Sequence, residues 1–153
     1  MQSYNTNLKV NPPLRKRSDM LALREAVLNG EIDCIASHHL PEDWDDKTCE
    51  FEYAKPGMIG LQTCYAAVQT ALPDLSAEQI ANLFSLNAAK IFQLKNSSIS
   101  EGNKASITLF NTEEFIFTKE KNKSKSQNSA FMNIPFHGNV IGIVSKGNLI
   151  LNN

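Results

Sequence analysis

The chain has 153 residues, is 42% hydrophobic and 20% charged, and sets 15 Lys and Arg against 16 Asp and Glu for a formal net charge of −1. So even a balance provides no field to steer it to nucleic acid or anionic lipid. No apolar run is long enough to span a bilayer and the first residues lack the charged-then-apolar order of a signal peptide, so no membrane or nucleic-acid partner is expected and the expected location is the cytoplasm.

The elements follow in chain order. Leu8 and Val10 alternate with Lys9 ahead of Pro12 and Pro13, which predicts a short strand ended by a rigid turn, because proline removes a ladder donor. Ser18 is placed to cap a helix whose apolar face carries Met20, Leu23 and Val27, with Gly30 at a left-handed C-cap. Ile32–Ser37 reads as a strand buried on both faces, completing a βαβ unit. In such folds chemistry collects past the C-terminal ends of the strands, here at Asn11–Arg15 and His38–Glu42.

His39–Gly57 is a polar, acidic stretch containing Trp44, Phe51 and Tyr53, long enough to suggest a loop over a site. Leu61, Cys64, Tyr65, Val68 and Leu72 form a helical stripe of core type. Ser76 and Gln79 make a capping-box pattern for a helix bearing Ile80, Leu83 and Phe84, and Asn87–Phe92 reads as one more short helix. Beyond Ser97 the character turns to strands: around Ala105–Leu109, Phe115–Phe117, Val140–Val144 and Leu149–Leu151, with a turn at Gly147-Asn148. Lys119–Ser129, rich in lysine and serine, reads as a solvated or disordered loop. Cys34, Cys49 and Cys64 are odd in number and lack a C-x-x-C, so buried reduced thiols are expected rather than disulfides or a zinc ribbon.

Candidate chemistry rests on Asn11, Arg15, His38, His39 and Glu42. An Asn and an Arg can recognise a carboxylate or amide. A His-His pair beside a Glu can bind metal or move protons. On the residues alone the bland reading of each is favoured: a turn-starting Asn11, a surface Arg15, a buried, hydrogen-bonded His39. The histidines are His38, His39 and His137, a set that provides no H-E-x-x-H and no i, i+4 pair.

Several stretches nevertheless resemble a known family. Lys9–Arg15 (KVNPPLR) resembles the N-P-P-L-R signature of class I dihydroorotases. Asp33–Asp43 (DCIASHHLPED) is similar to the family's I-A-T-D-H-A-P-H segment, and Phe51–Thr63 to its A-x-x-G-I-x-G-L-E-T. Asn87–Phe92 resembles N-P-A-K-I-F. Ser126–Phe131 and Pro135–Gly138 resemble S-x-N-T-P-F and F-x-G, pieces shared with allantoinases and hydantoinases. The order is kept along essentially the whole chain.

The resemblance implies an α/β fold: the C-terminal part of a metal-dependent TIM-barrel hydrolase over residues 1–96, then the C-terminal part of a small β-sandwich over residues 97–153. It implies interconversion of N-carbamoyl-L-aspartate and L-dihydroorotate in pyrimidine synthesis. Zinc belongs to the full-length family, but its ligands lie upstream of this stretch, so no metal residue is assigned and this chain alone is expected to bind none and to be inactive. Asn11 matches a substrate-binding position, and Pro56 and Gly57 match the pair whose backbone holds substrate. His38 stands at the position of the catalytic aspartate and Glu42 at that of a substrate-contacting histidine. A neutral imidazole brings no negative charge to a metal, and Glu42 would repel a dicarboxylate. The expected partners are a second copy, the remaining barrel segment, or aspartate carbamoyltransferase, which some non-catalytic members scaffold; an allantoinase is the other enzymatic reading.

Overall fold

The computed structural model describes residues 4–95 and 98–152. The expected boundary between residues 96 and 97 lies outside the described residues. By internal packing the chain divides into two compact units that interleave along the sequence. One comprises residues 1–23, 37–64 and 116–135, the other residues 24–36, 65–115 and 136–153.

The strand expected at Leu8–Val10 does not form. The Asn5 side chain accepts from Asn7 N at 3.0 Å, and Leu8 N and Lys9 N bond back to Asn5 O and Thr6 O, closing a 3₁₀ turn over Thr6–Leu8. Short polar side chains offer these local bonds, which replace a ladder. Helix α1 spans Arg17–Leu28 and starts one residue ahead of Ser18. Asp19 fixes that start by accepting from Lys16 N at 3.3 Å. Its end is as expected: Gly30 has φ +73°, Gly30 N reaches Val27 O at 3.1 Å and Glu31 N reaches Ala26 O at 2.9 Å, the paired bonds of a Schellman motif.

Ile32–Ser37 is also not a strand. It runs irregularly, with Asp33 and Ala36 exposed, and Ile35 N donates to Leu83 O at 3.0 Å. An extended segment becomes a strand only where neighbouring strands pair with it, and among the described residues none lies alongside. Within the acidic stretch a short helix, α2 (Trp44–Lys47), interrupts what sequence suggests is structureless.

In the second unit the expected helices are present. α3 covers Cys64–Ala71 and α4 covers Ala77–Ala81, opened by a complete Ser76–Gln79 capping box. A π-helical turn, Asn82–Leu86, then leads without a break into α5, Asn87–Ile91. In that turn Asn87 N bonds to Asn82 O instead of Leu83 O. The Leu83 carbonyl is thereby released, and it accepts from Ile35 N. Leu72, Leu75, Ile80 and Leu83 form the buried cluster, with Val27, Ile35, Tyr65, Val68 and Phe84 packed against it.

The sheet has the order β1-β2-β3. β1 (Ser106–Ile116) merges two expected strands, β2 spans Pro135–Ser145, and β3 spans Asn148–Leu151. β2 and β3 are antiparallel, pairing Ser145 with Asn148 and Gly142 with Leu151. The hairpin loop is therefore Lys146-Gly147, one residue earlier than the expected Gly147-Asn148. Both loop residues have positive φ, +50° and +79°, the requirement of a type I′ turn. The three cysteines are free and half-buried rather than buried.

Candidate functional site

All the candidate residues fall in the first unit. The path from Lys9 to Arg15 is fixed at its start. Lys9 O accepts from Gly57 N at 2.9 Å. Lys9 Nζ donates to Phe51 O at 2.9 Å and Glu52 O at 2.8 Å, and stands 5.5 Å over the Phe51 ring. The segment leading to Asn11 is thus bound directly to the Pro56-Gly57 pair. Asn11 itself is exposed. Arg15 is not drawn in: its guanidinium lies 3.6 Å from Asp19 in an exposed i, i+4 pair, as the surface reading expects.

His38 is exposed and has φ +44°, a left-handed conformation that histidine adopts more readily than most residues. His39 is half-buried, and its Nδ1 accepts from Gly60 N at 3.1 Å and Leu61 N at 3.4 Å. That is the hydrogen-bonded histidine of the bland reading, though half-buried rather than buried. Leu40 N donates to Met58 O at 2.9 Å, so the 38–42 segment runs against residues 57–60. Contact there is close: a Cβ on Gly57 would lie 3.0 Å from Leu40 O and 3.1 Å from Glu42 Cγ, and one on Gly60 would lie 2.8 Å from Ser37 O. Glycine at these positions is what permits the approach. The Glu42 side chain consequently packs beside Gly57.

Two residues that build this site have no counterpart among the candidates read from sequence. Lys47 is buried, and its ammonium donates to Lys55 O at 2.9 Å and Gly57 O at 3.1 Å, bracketing Pro56. Burial pushes its amine below the usual lysine range, while the nearby Glu42 charge works in the opposite direction. Asn128 is also buried. Its Nδ2 donates to Leu40 O at 3.0 Å, its Oδ1 accepts from Glu42 N at 3.3 Å and from the Ser126 hydroxyl at 2.7 Å, and its carbonyl accepts from Ile59 N at 3.0 Å. The single Ser126 hydroxyl proton is shared between that Oδ1 and Glu42 O. The 119–129 run keeps its lysines exposed, as a solvated loop would, but its end departs from that reading: Asn128 and Ser129 are buried, and short polar side chains order it by bonding to backbone. Periodic patterning gives no signal for such residues, although the S-x-N spacing of the resemblance passes through both Ser126 and Asn128.

Glu42, Lys47, Trp44, Lys119, Lys125 and Asn128 are among the residues lining an open cleft of about 830 Å³. It offers both charges and an exposed indole. Zinc does not fit the donor set of this chain alone. Tetrahedral sites take three or four protein ligands, the His39 Nδ1 lone pair is committed to backbone N–H groups, and among the described residues no three His, Cys, Asp or Glu side chains come together. No helix among the described residues is long and apolar enough to cross a membrane.

Comparison with known proteins fits these features. The model of the "Amidohydrolase family" matches residues 5–150. The chain is 37% identical over 155 residues to a dihydroorotase of Endomicrobium trichonymphae, covering 98% of this chain and 37% of that one. It is also 37% identical over 150 residues to a dihydroorotase of Aquifex aeolicus, covering 94% and 35%. The chain thus spans little more than a third of the curated relatives it matches. Among solved structures, a D-hydantoinase (dihydropyrimidinase) from Thermus sp. superposes with a TM-score of 0.82 at 18% identity, over 96% of this chain and 34% of that one. An L-hydantoinase from Arthrobacter aurescens gives 0.81 at 20% identity, over 97% and 35%. Those likenesses establish the shared fold of the region. The chain belongs to the amidohydrolase family, with dihydroorotases among its sequence relatives.

Proposed function

We propose that this chain is the C-terminal part of a dihydroorotase-type cyclic amidohydrolase, with the last elements of a metal-dependent TIM barrel up to about residue 96 and a β-sandwich portion after it. The observation that carries this reading is the alignment to dihydroorotases over 98% of the chain at 37% identity, together with the contact that brings the Lys9–Arg15 and Pro56-Gly57 motifs side by side through Gly57 N and Lys9 O. The reaction is opening of the cyclic amide of L-dihydroorotate to N-carbamoyl-L-aspartate, and its reverse. Asn11 and the Pro56-Gly57 backbone bind substrate. In the complete protein zinc supplies an activated water; this chain alone does not hold it.

His38 and Glu42 impair that chemistry. The acid/base position carries an exposed imidazole on a left-handed backbone, and the Glu42 side chain packs its Cγ beside Gly57, bringing a negative charge to a position where the family contacts a dicarboxylate. The purified chain with zinc is therefore expected to hydrolyse no dihydroorotate. Turnover that His38→Ala abolishes would overturn this. In a chimera carrying this chain in place of the matching third of an active dihydroorotase, His38→Asp with Glu42→His is expected to raise activity. No rise would count against the assigned roles.

The same substitutions favour a second reading, a non-catalytic partner of aspartate carbamoyltransferase. Light scattering of the two proteins together at micromolar concentration tests it, and the absence of a complex would exclude it.

A further inference from the structure

Asn29-Gly30 is the one asparagine–glycine pair in the sequence, and it closes helix α1. The cap that holds it is slight: Gly30 N donates to Val27 O at 3.1 Å and Glu31 N to Ala26 O at 2.9 Å. Asn29 and Gly30 are both exposed. A Cβ built on Gly30 would meet nothing within 4 Å, so no neighbouring segment crowds the peptide between them. The Asn29 amide donates to Glu31 Oε1 in a long contact of 3.3 Å. No residue of α1 is fully buried, but Val27 packs against the Leu72 cluster, which anchors the helix while its last turn opens. That opening costs little more than two exposed backbone hydrogen bonds. Asn128, which precedes Ser129, is the contrast: it is buried and its side chain is bonded at both ends.

An asparagine Cγ and the next backbone nitrogen can close a five-membered ring, and glycine leaves that nitrogen without a side chain to hinder it. With the cap open, Gly30 N attacks Asn29 Cγ and loses its proton to solvent. The Cγ–Nδ2 bond breaks, and Nδ2 takes up a proton and leaves as ammonia, which produces a cyclic imide. Water then opens the ring. Attack at Cγ breaks the new bond to Gly30 N and gives aspartate. Attack at the main-chain carbonyl breaks the original peptide bond and gives isoaspartate, with the chain rerouted through the side chain. We propose that Asn29 is a site of spontaneous deamidation, gated by opening of the α1 cap and consuming only water. Either product puts a carboxylate at the negative end of the helix dipole, beside Glu31, with no basic residue in the last turn to offset it. Isoaspartate also adds a carbon to the backbone, so Gly30 N and Glu31 N lose register with Val27 O and Ala26 O and the cap does not re-form. The proposal does not depend on the dihydroorotase reading.

Peptide mass mapping of the full chain, kept warm at mildly alkaline pH, tests it. The expected result is the mass gain of amide-to-acid conversion at Asn29 ahead of every other asparagine, with isoaspartate among the products. The folded chain should convert roughly five- to a hundredfold more slowly than the chain in unfolding urea, the weight of two backbone hydrogen bonds. In urea below the unfolding transition, the rate should rise less steeply than the global unfolding constant, as local opening requires. The converted chain should lose amide protection at Gly30 and Glu31 and keep it at Val27, and Asn29→Gln should abolish the product at this position. Another asparagine converting first would overturn the proposal. So would equal rates in folded and unfolded chain, a folded rate that tracks global unfolding, or a converted chain with the cap amides still protected.

Discussion

Asn128 and Lys47 show how single polar side chains hold irregular backbone in place. Each is buried, and each satisfies main-chain groups that have no strand or helix to pair with. Replacing Asn128 by Ala leaves Leu40 O and Glu42 N without partners, and should cost about 1–3 kcal/mol for each backbone group stranded away from water; urea unfolding measures this. Lys47→Met keeps the apolar stem and removes the donors to Lys55 O and Gly57 O. Its effect should also depend on pH. The folded amine titrates below the usual lysine value of 10.5, so at neutral pH the fold bears the full cost of keeping it charged. That cost lifts as pH rises from the lowered folded value toward 10.5, where the unfolded chain binds more protons. Unfolding curves across that window should show wild-type gaining stability relative to Lys47→Met; parallel curves would contradict the assignment.

The regular elements follow their sequence signals where those signals are local. The Ser76–Gln79 box and the Gly30 cap each need only a few neighbouring residues, and each is present. Ser76→Ala should cost about 1 kcal/mol, with the loss of helical signal on heating as the readout. Gly60→Ala forces a Cβ to within 2.8 Å of Ser37 O and should cost about 1–3 kcal/mol as overpacking; a thermal midpoint equal to wild-type would refute that close approach. What could not be read was of a different kind. Leu8–Val10 and Ile32–Ser37 have strand composition, but a strand is a relation between segments, and Asn5 and Thr6 provide the first of them with nearer partners. Lys47 and Asn128 bond to carbonyls far away in sequence, which no periodicity reports. Asn11, His38 and Glu42 rise above their bland readings, and Gly57 enters as a candidate, only through resemblance, whereas His39 as an acceptor of backbone N–H groups is one of two readings that its residue type allows.

Taken as a whole, the molecule leaves much apolar surface in water. Leu21, Leu23 and Leu28 of α1 are 50%, 58% and 45% exposed, and Leu149, Ile150 and Leu151 of β3 are 59%, 55% and 51% exposed. β3 is also an edge strand, with one side of its backbone unpaired within the sheet order. Apolar edges and stripes of this kind associate unless they are covered. The isolated chain is accordingly expected to self-associate as concentration rises, visible as a growing mass in light scattering. A monodisperse monomer with a single cooperative melt would show that these faces are tolerated in water.

The π-helical turn between α4 and α5 has a bearing on which sequence changes this chain can accept. A π turn holds one residue more than the α-helical turn it replaces, so it is equivalent to a single-residue insertion absorbed without breaking the helix. Deleting Ser85 would restore α-helical spacing: Asn87 N keeps Asn82 O, now four residues ahead of it, and the Leu83 carbonyl is re-engaged within the helix by Ala88 N. Ile35 N would then compete for its acceptor, while Asn87 keeps its facing and its 2.9 Å bond from Nδ2 to Asp33 O. The Ile35 contact holds the segment that leads directly to His38. A one-codon deletion in this helix should therefore loosen residues 33–38 more than the helix itself, and amide exchange at Ile35 would report it.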